Sequence, residues 1–247
     1  MTRPVFVVDA DLITKAAPGS IIELTGAEGR HAATVRRIGV GEYLDLVDGQ
    51  GRRVTAAVSS AQQSDLTLRV EQIATEPLPQ PRLVLVQALA KGDRDDQAIE
   101  TATELGIDAV IPWQAHRSIV QWRGERGAKA HRKWVGTVRA AGKQSRRARF
   151  PDVEPLHDLR ALLVRVAAAT VTFVLHEDAN APLAGADLPS EGEVLLVVGP
   201  EGGITPDELT ALTEAGARPV RLGATVLRSS SAGPAALAVL SAQQRWL

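Results

Sequence analysis

The chain has 247 residues, enough for one large domain or two small ones with cores of their own. Hydrophobic residues make up 45% of it and charged residues 23%, the formal net charge is −1, and no apolar run approaches the ~18 residues of a membrane span, so neither a membrane protein nor a disordered chain is expected. It has no cysteine, which excludes thiolate nucleophiles, disulfides and Cys-ligated zinc, and its five histidines fall outside any HxxxH or HExxH spacing, so no metal is expected.

The opening MTRPVFVVDADLITK has neither the apolar region nor the cleavage site of a signal peptide, which makes the cytoplasm the expected location. PVFVV (4–8), SIIEL (20–24), EYLDLVD (42–48), RVTAAVS (53–59) and DLTLRVEQI (65–73) are β-rich runs separated by turn chemistry such as Asp48-Gly49. One helix, EGRHAATVRRI (28–38), interrupts them. Five short strands and a helix predict a small, partly closed barrel over 1–75. TEPLPQP (75–81), with three prolines in seven residues, then reads as the domain boundary.

From residue 82 strands and helices alternate. RLVLVQAL (82–89) is a continuous apolar strand, and DRDDQAIETATELG (93–106) an amphipathic helix stopped by Gly106. DAVIPW (108–113) predicts a strand, 127–142 a basic helix and HDLRALLVRVAAA (157–169) another helix. TVTFVLHE (170–177) and EVLLVVG (193–199) are strands, TPDELTALTEAG (205–216) a helix, ARPVRLG (217–223) a strand and 232–247 the last helix. Apolar strands alternating with helices predict an α/β layer fold with a largely parallel sheet over 82–247.

The near-zero net charge conceals an asymmetry. Residues 113–149 hold eleven Lys/Arg and one acid, Glu125, whereas 151–217 hold twelve acids and two basic residues. The basic run includes Trp113, Trp122 and Trp134 and closes on KQSRRAR, Lys143 to Arg149. Guanidinium groups engage phosphates and flat rings stack on unpaired bases, so a nucleic-acid surface is the favoured reading over a solvated basic face with core tryptophans.

In parallel α/β sheets, ligands bind at the loops that leave the carboxyl ends of the strands. Three such loops stand out. VLHEDAN places His176, Glu177 and Asp178 after an apolar strand. LLVVGPEGGITPDEL (195–209) runs from a buried strand through Gly199, Gly202 and Gly203 into a helix start, with Thr205 at N-cap, Pro206 at N1 and Glu208 completing a capping box. VRLGATVLRSSSAGPAAL (220–237) reads as strand, glycine, apolar turn, polar loop and helix. Neither GxGxxG nor GxxxxGK[ST] is present, so the glycines match neither dinucleotide nor P-loop binding.

QALAKGDRDDQAIETATELG, KQSRRAR, VLHE, VVGPEGG and LGATVLR, in this order and spacing, resemble the bacterial 16S rRNA (uracil-N3)-methyltransferase family of the SPOUT superfamily. The resemblance covers nearly the whole chain. It implies an N-terminal PUA-like β-barrel that binds RNA, a SPOUT methyltransferase domain with a deep trefoil knot, and a homodimer acting on the 16S rRNA of the small ribosomal subunit. It also implies S-adenosylmethionine in three adjoining loops. Leu175, His176 and Glu177 would form one wall, Val198, Gly199, Pro200, Gly202 and Gly203 the second, and Leu222, Gly223, Val226, Leu227 and Arg228 the third. The candidates for catalysis are Arg94, Arg117 and Arg147 as orienting cations and Glu104 or Glu201 as proton acceptor, while Arg30, Arg36, Lys143, Arg146, Arg147 and Arg149 are the RNA-binding candidates.

Two departures bear on this. Ser229-Ser230-Ser231 stands where the family usually carries Thr-Glu-Thr, and Lys143 stands where a Glu often precedes the Gln of the basic segment. Alternative readings are another SPOUT enzyme acting on a tRNA base or a ribose hydroxyl, and a non-catalytic RNA-binding assembly factor. The absence of cysteine argues against methylation at uracil C5, which commonly runs through a thiolate adduct.

Overall fold

The computed structural model describes residues 3–246. Leu247 of the expected last helix, and Met1 and Thr2 of the expected first domain, lie outside the described residues. Two compact units are present: residues 1–78 with 142–150, and residues 79–141 with 151–247.

In the first unit β1 (Val5–Val7), β2 (Ile21–Leu24), β3 (Tyr43–Val47), β4 (Arg52–Ala61) and β5 (Leu66–Thr75) form one sheet in the order β1-β3-β4-β5-β2. β1 runs parallel to β3, and the other pairs are antiparallel. Register shifts between Thr55 and Ala56 and between Val58 and Ser60 mark bulges, which bend β4 and curl the sheet into a half-barrel. Phe6, Ile13, Leu24, Leu44, Leu46, Leu66 and Leu68 fill its concave face. Asp48 Oδ1 accepts from Gln50 N at 2.7 Å and Arg52 N at 3.1 Å, and Gly49 (φ 79°) completes the expected turn.

The expected helix is found as α2 (Gly26–Arg30), which continues into a π turn over His31–Val35. A further helix, α1 (Ala10–Thr14), was not expected; it is a single turn that buries only Ile13, too little periodicity to read.

Residues 142–150 cluster with this unit, not with the contiguous 82–247 segment expected. Phe150 packs on Val5, Val7, Val47 and Ala148, its N–H donates to Gly49 O at 2.8 Å, and Arg149 Nη2 donates to Glu76 O at 3.0 Å.

The second unit holds a six-stranded, wholly parallel sheet built from β6 (Arg82–Ala88), β7 (Ala109–Trp113), β8 (Asp152–Val153), β9 (Val171–Leu175), β10 (Glu193–Val198) and β11 (Arg218–Val220). Their order is β11-β9-β10-β6-β7-β8. Both faces are buried, which explains the unbroken apolar runs. Leu83, Leu85, Leu196 and Val198 point into one core with residues of α3 (Arg94–Glu104), α4 (Gly124–Gln144) and α7 (Ser229–Gln244). Val84, Val86, Leu195 and Val197 point into another with α5 (Leu159–Ala168) and α6 (Pro206–Glu214). β8 was not expected, since two residues carry no period. None of the helices among the described residues is long and apolar enough to cross a membrane.

Two helices begin earlier than their sequence suggests. α4 starts at Gly124 and runs to Gln144, and α7 starts at Ser229, so the expected polar loop over Ser229–Ser231 is instead its first turn. Gly233 permits this: a Cβ there would lie 2.8 Å from Leu85 Cδ1 and 3.5 Å from Val198 Cγ2, so α7 lies against β6 and β10 more closely than a side chain would allow. Pro234, which has no N–H, is accommodated inside the helix.

Asp95 in the first turn of α3 is buried, and burial, partly offset by hydrogen bonds from the N–H groups of Asp96 and Ala90, pushes its pKa up to about 6. The folded state therefore holds this proton more tightly than the unfolded chain, and stability from this group is lost as pH rises from about 4 to 6. Asp95→Asn is expected to raise the melting temperature by roughly 6–12 °C at pH 7, taking about 3 kcal/mol for the shift and 2–4 °C per kcal/mol. The gain should vanish near pH 4, as thermal unfolding at the two pH values would show; an equal gain at both would refute it.

Candidate functional site

The expected capping box is present: Thr205 Oγ1 accepts from Glu208 N at 3.2 Å, and Glu208 Oε2 accepts from Thr205 N at 3.0 Å. The α6 start is thereby pinned, and with it the end of the glycine loop that leaves β10. Glu208 is 4% exposed, and its Oε1 also accepts from His116 N at 2.7 Å. This bond ties the segment carrying Arg117 to the same helix start.

Arg117 Nη1 donates to Gly202 O at 2.9 Å. Arg94 Nη1 donates to Glu201 Oε1 at 2.8 Å, and Lys91 N donates to the same oxygen at 3.1 Å. Burial alone would raise Glu201, but hydrogen bonds from its own backbone N–H, from Arg94 and from Lys91 N outweigh it and hold the carboxyl below the usual range. At neutral pH Glu201 is a carboxylate anchored to a guanidinium.

The three loops converge on a cleft of about 730 Å³, lined by Leu175, His176 and Glu177 after β9, by Val198, Gly199, Pro200, Glu201, Gly202 and Gly203 after β10, and by Val226, Leu227 and Arg228 before α7. A second cavity of about 390 Å³ shares Leu175–Asp178, Val226 and Leu227 with it and adds Leu222 and Gly223. Every residue named for the three walls borders one cavity or the other. Asp178, Ile204, Pro206, Leu209, Ser229 and Ala232 also line the larger cleft and were not expected in its walls; their adjacency to the three loops was the available signal.

The glycines serve different ends. A Cβ on Gly199 would lie 2.7 Å from Ile204 Cγ1, so this glycine lets the loop close on itself, and Gly203 adopts φ 74°. A Cβ on Gly202 would lie 3.2 Å from Arg117 Cβ, so Gly202 makes room for the arginine. The space the sequence reserves at Gly199 and Gly202 is filled by the protein itself.

Among the catalytic candidates, Arg94, Arg117 and Glu201 line the cleft. Glu104 does not: it is exposed in the last turn of α3, ten residues or about 15 Å along the helix from Arg94. Arg147 belongs to the first unit, where its Nε donates to Arg149 O at 2.9 Å. Groups of three or more residues able to hold a metal are absent among the described residues.

All six RNA-binding candidates belong to the first unit. Arg30, Arg36 and Arg146 are exposed, the last at φ 61° with its carbonyl accepting from Arg53 Nη2 at 2.9 Å. Lys143 and Arg149 are half-buried and partnered instead. Lys143 Nζ pairs with Glu28 at 2.6 Å and lies 5.3 Å from the Phe6 ring centroid, and Arg149 fills the space beside Gly51 and bonds Glu76 O. A run of like charges does not reveal which members find partners a hundred residues away.

Comparison with known proteins agrees with this arrangement. The family profile described as an RNA methyltransferase domain matches residues 76–241, and one described as an RNA methyltransferase PUA domain matches 24–71. Ribosomal RNA small subunit methyltransferase E of Mycobacterium bovis is 45% identical over 100% of this chain and 94% of its own, and the Bacillus subtilis protein of that name is 29% identical over 91% of each. The crystal structure of ribosomal RNA small subunit methyltransferase E from Neisseria gonorrhoeae bound to S-adenosyl methionine superposes with a TM-score of 0.84 at 28% identity, covering 98% of both chains. The chain belongs to the ribosomal RNA small subunit methyltransferase E family.

Proposed function

We propose that this chain methylates N3 of a uridine in the 16S rRNA of the small ribosomal subunit, with S-adenosylmethionine as methyl donor, in the cytoplasm. The observation that carries the reading is the cleft at the carboxyl ends of β9 and β10, closed by the loop before α7, in a member of this family. Its chemistry fits the donor. Leu175, Val198, Leu227 and the 74%-exposed Val226 offer apolar surface to an adenine, Glu177 and Asp178 supply acceptors, and Arg228 supplies a cation for a carboxylate.

S-adenosylmethionine supplies an electrophilic methyl group on a sulfonium. The residues of the chain must then bring an imide nitrogen into line with it, which is mainly a positioning task. Arg117, fixed on Gly202 O, is placed to stabilise the negative charge that develops on a uracil oxygen as the N3 proton leaves. Glu201, anchored to Arg94 and held below the usual carboxylate range, is a weak base and serves to fix Arg94 at the cleft. The same reading carries a trefoil knot in the three C-terminal loops and a homodimer. Light scattering should give twice the 26.2 kDa chain mass; a monomer at micromolar concentration would overturn the dimer.

The deciding experiment is transfer of radiolabelled methyl groups to small subunits, with mapping of the modified nucleotide. Label at a uridine N3 is expected; label only on tRNA or on a ribose, or none at all, defeats the proposal.

The exposed Arg146 and the half-buried Arg147 beside it supply RNA contacts in this reading. Each phosphate contact releases counterion, so binding weakens with added salt. Replacing Arg146 and Arg147 together with Ala should lower the salt slope by about one to two, at roughly 0.7 per contact on single strands. An unchanged slope would mark them as a solvated face.

A further inference from the structure

The three tryptophans of the basic run have different fates. Trp113 is fully buried and Trp134 is 2% exposed, both in core clusters. Trp122 is only partly buried and borders two clefts, of about 380 and 310 Å³. These volumes lie at the low end of those that hold small planar ligands (~300–1,000 Å³).

Trp122 is held rigidly from behind. Its ring meets Trp134 edge to face at 5.1 Å and His131 at 6.4 Å. The backbone N–H of Trp122 donates to Gln114 Oε1 at 3.3 Å, and Gln114 Nε2 in turn donates to Val120 O at 2.9 Å. A Cβ on Gly127 would lie 2.9 Å from the carbonyl carbon of Trp122, so the first turn of α4 is packed directly on it.

The indole nitrogen is not among the buried unpartnered atoms, and it donates to no group of the described residues. The surroundings are cationic: Arg123 lines one cleft, Arg126, Lys129 and Arg132 follow on the exposed part of α4, and none of the four forms an ion pair among the described residues. Asp158, the acid lining the larger cleft, is committed to capping α5 through Ala161 N.

We propose that Trp122 is a stacking site for an unpaired nucleotide of the RNA substrate, its base against the indole and its phosphate on Arg123. This rests on the RNA-methyltransferase reading. A fixed aromatic beside an unpaired cation accepts any base, because every base has a π face, and its rigidity spares the entropy of ordering it.

The test measures binding of the full chain to deproteinised 16S rRNA and to a short single-stranded RNA at several salt concentrations. Trp122→Leu should weaken both by about 10-fold, within the ~5- to 150-fold expected per stacked base, without changing the salt slope. Trp122→Phe should retain most of the affinity, and Arg123→Ala should lower the slope by about 0.7. Ala128→Glu, an acid at an exposed position lining the smaller cleft, tests the site without touching the core and should also weaken binding about 10-fold.

Wild-type affinity in Trp122→Leu and Ala128→Glu overturns the proposal while leaving the methyltransferase reading intact. Loss of binding only to assembled subunits, with naked RNA unaffected, assigns the clefts to a protein segment and equally overturns it. A wild-type chain that binds neither RNA defeats the underlying reading as well.

Discussion

In Gly202→Val, affinity for S-adenosylmethionine should fall at least about 100-fold, ~2.7 kcal/mol, while the fold persists. A single Cβ at Gly202 would already stand 3.2 Å from Arg117 Cβ and 3.5 Å from its Cδ, and valine adds two methyl groups to that space. The bulk of valine against Arg117 forces the loop backbone to move, and that deforms the cleft wall. The damage stays local because Gly202 is exposed, its φ is not positive, and the capping box pins α6 from Thr205, three residues further on. Gly202→Ala should show a milder loss. Calorimetry finding wild-type affinity in Gly202→Val would remove the loop from the binding site.

Arg117→Ala should act on the chemistry more than on the cofactor. Removing one preorganised group that stabilises developing charge typically costs about 10²–10³ in kcat. Single-turnover methyl transfer should slow by that factor, with cofactor affinity changed only a few-fold because the backbone of the loop remains. Arg117→Lys should rescue little: an ammonium cannot hold Gly202 O and face a substrate with the planar fork of a guanidinium. Near-normal single-turnover rates in Arg117→Ala would sink this role and make the hydrogen bond to Gly202 a structural tie alone.

Much of the architecture was legible where local chemistry decides it. Thr205, Pro206 and Glu208 announce α6 because the cap is made within four residues, and the apolar runs at 82–89 and 193–199 announce strands buried on both faces. The glycine loop was legible as the wall of a cleft, though not the reason for its glycines, since Ile204 and Arg117 fill the space and only the fold brings Arg117 there. Ser229–Ser231 read as loop because hydroxyl residues favour turns; contact of Gly233 with Leu85 and Val198 overrides that preference. Lys143 and Arg149 read as free cations because Glu28 and Glu76 lie 115 and 73 residues away in sequence. Glu104 fails for a simpler reason: helix geometry sets it at the end of α3 remote from Arg94.

The strand order β11-β9-β10-β6-β7-β8 has a kinetic side. The register of the two central strands pairs Arg82 with Glu193, 111 residues later, so the middle of the sheet cannot close until most of the chain has left the ribosome. Pairing at such separation is slow because loop-closure entropy must be met before the contact rewards it. During synthesis RLVLVQA waits with the edge that β10 later takes unpaired, a stretch prone to wrong partners, and the cleft cannot form before β10 and the loop ahead of α7 have emerged. An enzyme that modifies ribosomes would thus acquire its own active site only at the end of its passage through one.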